Sequence, residues 1–144
     1  MNETIRKFGY PDTLIREYQH WVVLLRPQQV TLGSLVLASK EPARQFHEVS
    51  ERGFTELKSA VTHIEQALVQ LARHQKLNYL MLMMVDPDVH FHVIPRYQQP
   101  ARFDEVAFTD HGWPGPPALT RFTETDAATN AAITARLKAH WPSA

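Results

Sequence analysis

The chain has 144 residues, a length that fits one domain with a real hydrophobic core and leaves no room for a second full domain. Its 15 lysines and arginines balance 15 aspartates and glutamates, so it has no broad basic surface for DNA, RNA or an anionic membrane. Cysteine is absent, which excludes disulfides, thiolate zinc sites and cysteine nucleophiles and leaves eight histidines as the conspicuous reactive groups.

The amino-terminal segment lacks the apolar core of a signal peptide. No apolar run in the chain approaches the roughly 20 residues that span a bilayer. We therefore expect a soluble, cytoplasmic protein that does not associate with membranes. Within this segment, Leu14, Ile15 and Tyr18 have the spacing of one face of a short helical turn.

A hairpin and a long helix are predicted next. The apolar runs 21–25 and 34–39, separated by a polar turn, have the composition of two paired strands. After a connecting segment, Ser50 is a suitable N-cap for an amphipathic helix that ends near His74. Apolar side chains recur along this helix at steps of three and four and form one stripe: Phe54, Leu57, Val61, Ile64, Leu68 and Leu71.

Two further strands follow the helix. Residues 77–85 are too apolar for a half-exposed strand, which favours a central strand covered on both faces or a strand at a subunit interface. Residues 88–96 alternate strictly between polar and apolar. They are therefore predicted to be the antiparallel partner, joined to 77–85 by a tight turn at Asp86 and Pro87.

The carboxy-terminal part changes character. Residues 103–108 are predicted to form a short strand, and residues 110–117 are irregular because glycine and proline dominate them. Thr125 or Asp126 then caps an alanine-rich helix that runs through Leu137.

Asp88, His90 and His92 alternate along the last of the long strands. In an extended strand they share one face, with neighbours roughly 6 to 7 Å apart. Three interpretations stay open. These residues belong to an ordinary strand; or they bind a metal ion, for which Asp88 is the only third ligand near in sequence; or one imidazole attacks a phosphoryl centre, since neutral histidine forms a phosphoramidate that is readily broken.

The string His-Phe-His-Val-Ile-Pro-Arg-Tyr at residues 90–97 resembles the end of the histidine triad (HIT) motif, His-φ-His-φ-His-φ-φ, with the Pro-Arg that often follows it. The order of hairpin, long helix, strand and motif agrees over residues 21–97. The resemblance implies an α+β fold: a HIT-like antiparallel sheet with one long amphipathic helix and a C-terminal helix. It also implies a single domain over residues 1–144, with a core at about 12–100 and an extension at about 101–144, and a homodimer whose sheets join across the interface.

By the same resemblance, His90 is the middle histidine of the triad, the nucleophile that forms a nucleotidyl-histidine intermediate. His92 is the last histidine, which contacts the phosphate. Asp88 replaces the first histidine. A carboxylate there is able to orient an imidazole, and it also repels a phosphate unless it is buried or paired.

Other positions depart from the family pattern. Relatives often carry a Gly-Gln-Ser or Gly-Gln-Thr phosphate loop before the triad, for which residues 85–87 leave no room. Arg26 stands where relatives have Asn or Asp, and it is a candidate for contact with phosphate. Ser34, where relatives have histidine after glycine, and Asn78 are further candidate substrate contacts. Trp113 is a candidate substrate contact too, in a segment that folds over the site as a lid or reaches the partner subunit.

The resemblance therefore implies a hydrolase or nucleotidyl transferase acting on a nucleoside phosphate derivative, a small-molecule substrate, with no metal or other cofactor. A non-catalytic nucleotide-binding protein is the alternative. A metal-dependent hydrolase with Asp88, His90 and His92 as ligands is a distant third.

Overall fold

The structure, a computed structural model, describes residues 1–143. Helices lie at α1 (Glu3–Lys7), α2 (Glu51–Leu71) and α3 (Ala127–His140). Strands lie at β1 (Leu14–Glu17), β2 (Trp21–Leu25), β3 (Leu35–Ser39), β4 (Lys76–Leu80), β5 (His90–Arg96), β6 (Ala101–Phe103) and β7 (Val106–Phe108).

The first five strands form one antiparallel sheet in the order β1-β2-β3-β5-β4. The predicted hairpin is confirmed: β2 and β3 pair from Trp21 with Ser39 to Leu25 with Leu35. Strands β6 and β7 form a separate two-stranded ribbon, where the sequence predicted one short strand. This combination of an antiparallel sheet, one long helix and a carboxy-terminal helix confirms the predicted α+β class.

Alternation along the central strands divides the core between the two faces of the sheet. One face packs against α2 and α3 through Leu37, Ile64 and Ile133, among others. The other face carries a smaller cluster that α1 covers through Ile5. In the pairing of β3 with β5, Val36 lies opposite His92 and Ala38 lies opposite His90. Because Val36 and Ala38 belong to the smaller cluster, both histidines lie on the face that α1 covers.

The caps of the two longer helices agree with the sequence. The Ser50 side chain accepts a hydrogen bond from the backbone N–H of Gly53, and Asp126 caps α3 in the same way through Thr129. On the predicted stripe of α2, Ile64 and Leu68 are buried, while the first apolar residues of the helix stay partly exposed. Among residues 1–143 no helix is long and apolar enough to cross a membrane.

The helical turn predicted around Leu14 is wrong. Its backbone instead pairs with β2, with Leu14 opposite Leu24 and Glu17 opposite Val22, and this makes it an edge strand. The amino-terminal helix lies earlier, where Asn2 accepts a hydrogen bond from the backbone N–H of Ile5 and caps α1.

Of the two alternatives predicted for residues 77–85, the central strand covered on both faces is wrong, and the strand at a subunit interface stays a prediction. Strand β4 ends at Leu80 and lies at the edge of the sheet, with β5 as its only neighbour in the described chain. Residues 81–89 form an irregular connection rather than a tight turn, and Met83 within it has a positive φ of 56° that an extended strand cannot contain. The next strand begins at His90, so Asp88 precedes it.

Candidate functional site

A cleft of about 370 Å³ opens on the face of the sheet that carries the two histidines. Both imidazoles line it from β5. Arg26 and Gln28 line it from the segment after β2, and Lys7 and Phe8 from α1 and the residue that follows it. The irregular connection between β4 and β5 supplies an apolar wall, and a carboxy-terminal segment completes the lining: Leu82, Met83, Met84, Val85, Asp86, Leu119 and Thr120.

His90 has a defined orientation in this cleft. Its Nδ1 lies 2.7 Å from the backbone oxygen of Asp88. A carbonyl oxygen only accepts, so this contact assigns the ring proton to Nδ1 and leaves the lone pair on Nε2. The His90 and His92 ring centroids are 5.2 Å apart, and the Phe8 ring lies 5.8 and 5.7 Å from them. The arrangement holds the His90 ring in one orientation beside an aromatic side chain.

The carboxylate of Asp88 does not line the cleft, contrary to the predicted row of three polar groups on one face. Because β5 begins at His90, the side chain of Asp88 is free to turn toward α1, where Thr4 Oγ1 donates a hydrogen bond to Oδ2 at 2.9 Å. Residues 1–143 contain no group of three or more side chains placed to hold a metal ion. The proposed set of three ligands is therefore not assembled here.

Three charged side chains line the cleft: Lys7, Asp86 and Arg26. Lys7 Nζ pairs with Asp86 Oδ1 at 2.8 Å, an ion pair between α1 and the β4–β5 connection. Arg26 donates from Nη1 to the backbone oxygen of Gln28 at 2.8 Å, whereas its buried Nε has no hydrogen-bond partner among the described residues. Burial lowers the pKa of Arg26, which is still cationic at neutral pH because an arginine starts so high. Arg26 thus lines the cleft as a cation with one buried donor that has no partner among the described residues.

His92 is the more strongly perturbed imidazole. Burial, followed by the nearby His90 and Arg26, lowers its pKa to about 4, and Asp86 opposes this shift only in part. At neutral pH the ring is therefore uncharged, with one N–H donor. Its buried Nδ1 has no partner in the described part of the chain. His92 and Arg26, which line the cleft together with His90, thus each carry one buried nitrogen without a partner in the described chain.

Comparison with solved structures places this geometry in a known fold. A histidine triad protein from Bradyrhizobium japonicum superposes with a TM-score of 0.75 at 19% identity, covering 98% of this chain and 96% of that one. One from Sinorhizobium meliloti gives 0.76 at 17% identity, covering 97% and 95% of the two chains. One from Marinobacter aquaeolei gives 0.75 at 20% identity, covering 98% and 94%. The chain has a histidine-triad-like fold.

At these identities the likeness is one of fold, and it confirms the HIT-like architecture predicted from residues 21–97. The chain matches no protein-family model and no curated protein sequence.

Within this HIT-like fold, three of the predicted substrate contacts lie outside the cleft. Ser34 is fully buried, and its Oγ donates to the backbone oxygen of Thr31 at 2.9 Å and accepts from the Thr31 N–H at 3.0 Å. It stabilises the turn before β3. Asn78 and Trp113 line a separate cavity of about 430 Å³ beside β4. There Asn78 Oδ1 accepts a hydrogen bond from Arg96 at 2.8 Å.

The cleft thus brings together three of the predicted site residues, His90, His92 and Arg26, and adds residues that the sequence did not indicate. Lys7 and Phe8 come from an amino-terminal helix that carries no recognisable motif. The apolar wall lies within residues 77–85, for which the sequence predicts a strand. Within this wall Met84 and Val85 are exposed. Adjacent apolar side chains of this kind are the one local sequence signal that the segment borders a binding surface.

Proposed function

We propose that this protein is a nucleotide hydrolase or nucleotidyl transferase that acts through a covalent intermediate on His90. The observation that carries the proposal is the 2.7 Å contact between His90 Nδ1 and the Asp88 carbonyl inside the cleft. With the proton on Nδ1, the lone pair of the other ring nitrogen, Nε2, is available for attack on phosphorus, as a nucleophile requires.

In the first step, Nε2 of His90 attacks the α-phosphorus of a nucleoside phosphate derivative. The N–P bond forms as the bond to the leaving group breaks, and the leaving group departs with its electron pair and takes a proton from solvent. The ring then carries a positive charge, which the carbonyl of Asp88 stabilises through Nδ1–H. Water, or the hydroxyl of an acceptor, next attacks phosphorus and returns the N–P electron pair to His90. The attacking oxygen loses its proton to solvent.

Arg26 and His92 supply the contacts to the phosphoryl oxygens in this proposal. The Arg26 guanidinium and the neutral ring of His92 both line the cleft, where they are able to donate hydrogen bonds to an anion that enters it. The chain has no formal net charge, so these few donors, rather than a basic surface, must hold the phosphate.

Trapping of the intermediate tests this function. The protein is mixed with nucleoside phosphoramidates and dinucleoside polyphosphates, quenched in alkali, and analysed for a nucleotidyl adduct by mass spectrometry. The parent is expected to form the adduct and turn over, and His90→Ala to do neither. His111→Ala, at an exposed histidine outside the cleft, is the matched control. Equal turnover by His90→Ala and the parent would overturn the mechanism.

A non-catalytic nucleotide-binding protein is the second candidate. It is favoured by the apolar wall, because Met83, Met84 and Val85 stand just before the motif where relatives often carry a polar phosphate loop. Calorimetric binding of a nucleoside monophosphate, with no product from any substrate in the panel, would support this candidate instead.

We also propose that the protein forms a homodimer through the open edge of β4. The outward-facing backbone groups of this edge strand have no partner strand in the described chain, and the apolar side chains of the strand itself, Leu77, Tyr79 and Leu80, are partly exposed. An unpaired strand next to apolar side chains is a ready template for a second copy. Light scattering after size-exclusion chromatography is expected to give twice the 16.5 kDa chain mass, whereas the mass of one chain would contradict the dimer.

A further inference from the structure

Thr4 and Asp88 form a reciprocal pair of hydrogen bonds across 84 positions of sequence. The hydroxyl of Thr4 donates to Oδ2 of Asp88 at 2.9 Å and accepts from the backbone N–H of Asp88 at 3.3 Å. The Thr4 N–H adds a longer contact to the same carboxylate oxygen, at 3.4 Å. Thr4 is 1% exposed and Asp88 5% exposed, so water does not compete for these bonds.

The residue after Asp88 is held from the other side. The Val89 N–H donates to the backbone oxygen of Ala43 at 3.0 Å, and the Val89 oxygen accepts from the Ser39 N–H at 2.9 Å. The peptide between Asp88 and Val89 therefore lies between two anchors, Thr4 on one side and the bonds of Val89 on the other. Its oxygen is the one that contacts His90.

We propose that Thr4 is a positioning residue: through Asp88 it fixes the carbonyl that holds His90 in the Nδ1–H tautomer. This role rests on the proposed function, in which Nε2 of His90 must keep its lone pair. A neutral imidazole without a fixed partner exchanges its proton between both nitrogens, and the Nε2–H form is not a nucleophile at that atom. The Asp88 carboxylate thus acts indirectly in this proposal: it holds the backbone carbonyl that contacts His90 Nδ1 and does not itself contact the substrate.

The tautomer is measured directly, without turnover, from the nitrogen shifts of the histidine rings in a long-range ¹⁵N–¹H spectrum at about pH 9, where an ordinary imidazole is neutral. The His90 signals are assigned by their absence in His90→Ala. The parent is expected to show Nδ1–H at His90. In Thr4→Val, which removes the hydroxyl and keeps the shape, a population of Nε2–H is expected to appear, and adduct formation to slow by about 10- to 100-fold.

Two variants separate this role from simple docking of α1. Thr4→Ser restores the hydroxyl and is expected to restore both the tautomer and the rate. Asn2→Ala removes the cap of α1 and its bond to the Ser39 backbone oxygen but leaves Asp88 untouched, so the parent tautomer is expected. A shift in Asn2→Ala as large as that in Thr4→Val would overturn the specific role of Thr4.

Asp88→Ala provides a second route if Thr4→Val does not fold. It removes the acceptor and keeps the backbone carbonyl, and we expect the same mixed tautomer. Pure Nδ1–H in Asp88→Ala or Thr4→Val refutes the positioning role. The proposed function is tested separately. If the parent shows Nδ1–H, Thr4→Val loses it, and the parent never forms an adduct, the positioning role of Thr4 stands and the catalytic proposal is refuted.

Discussion

Arg96 and Asp110 form a buried, two-pronged ion pair that joins the end of β5 to the irregular segment 110–117. Nε of Arg96 donates to Oδ2 at 2.7 Å and Nη2 donates to Oδ1 at 3.0 Å. The same carboxylate accepts from the backbone N–H groups of Tyr97 and Gly112, both at 3.1 Å. Burial alone would raise the pKa of Asp110, but these bonds, led by those from Arg96, outweigh it and keep the pKa below its ordinary value.

Asp110→Ala is expected to cost about 3–5 kcal/mol of unfolding free energy, because it leaves the Arg96 cation buried without its partner. Urea denaturation measures the loss. Asp12→Ala, at an exposed aspartate, should stay within about 0.5 kcal/mol of the parent.

The same pair has a predictable pH dependence. The folded-state pKa of Asp110 is lowered, so its contribution is present above the ordinary aspartate pKa of about 3.9 and is lost as the pH falls through the folded value. The difference between parent and Asp110→Ala should therefore shrink in acid. A constant difference down to about pH 2.5 would contradict this account.

The start of α2 shows what local sequence signals predict well. Ser50 was identified as the N-cap from its position before the apolar stripe, and its Oγ accepts from the Gly53 N–H at 3.0 Å. Ser50→Ala is expected to cost about 1 kcal/mol of unfolding free energy. Ser59→Ala is the matched control, since Ser59 is an exposed serine inside the same helix. It should be neutral or slightly stabilising, because alanine is the better helix former. Equal losses in both variants would contradict the cap.

Signals that act over a few residues explain why the hairpin, α2 and α3 were predicted. The failures involve partners that are distant in sequence. The apolar character of residues 77–85 indicates that something shields these side chains from solvent. It does not indicate whether a strand, a ligand or another chain covers them. The predicted strand 88–96 begins two residues before the true start of β5, because the Asp88 side chain bonds to Thr4 of the first helix and lies near Arg44.

The residues of the cleft show the same contrast between local sequence signals and partners that are distant in sequence. Period-two alternation places the two histidines of β5 on one face, whereas Arg26 became a candidate through the resemblance, since it stands where relatives often have Asn or Asp. Lys7 and Phe8 reach the cleft only because α1 folds across the sheet, which no local pattern reports. Ser34 has the hydroxyl expected of a ligand contact, but a fully buried turn uses both its donor and its acceptor.

Arg26→Gln is expected to lower kcat by about 10²- to 10³-fold if Arg26 donates to the phosphoryl oxygens in the transition state. Arg26→Lys should recover part of this loss, because it keeps the charge and loses the planar fork. Steady-state kinetics on the best substrate of the panel measures both. Arg52→Gln, at an exposed arginine of α2, controls for the change in net charge. Unchanged kcat and KM in Arg26→Gln would exclude a role in phosphate binding.

His92 makes the fold sensitive to acid in a defined range. The folded-state pKa of His92 is about 4, against an ordinary value of 6.5. At a pH between these values, His92 is therefore protonated in the unfolded chain and neutral in the folded chain. The unfolding free energy should therefore fall as the pH drops from about 6.5 to about 4, and no further from this group below that.

His92→Asn, whose side chain does not titrate, should lose less unfolding free energy than the parent over this range. His111→Asn, at an exposed histidine, should follow the parent. Urea denaturation at several values between about pH 7 and about pH 4 gives the three curves, and the difference between parent and variant cancels the contribution of the carboxylates. Parallel curves for His92→Asn and the parent would show that His92 protonates as readily in the folded chain as in the unfolded one, and its neutral state in the cleft would have to be abandoned.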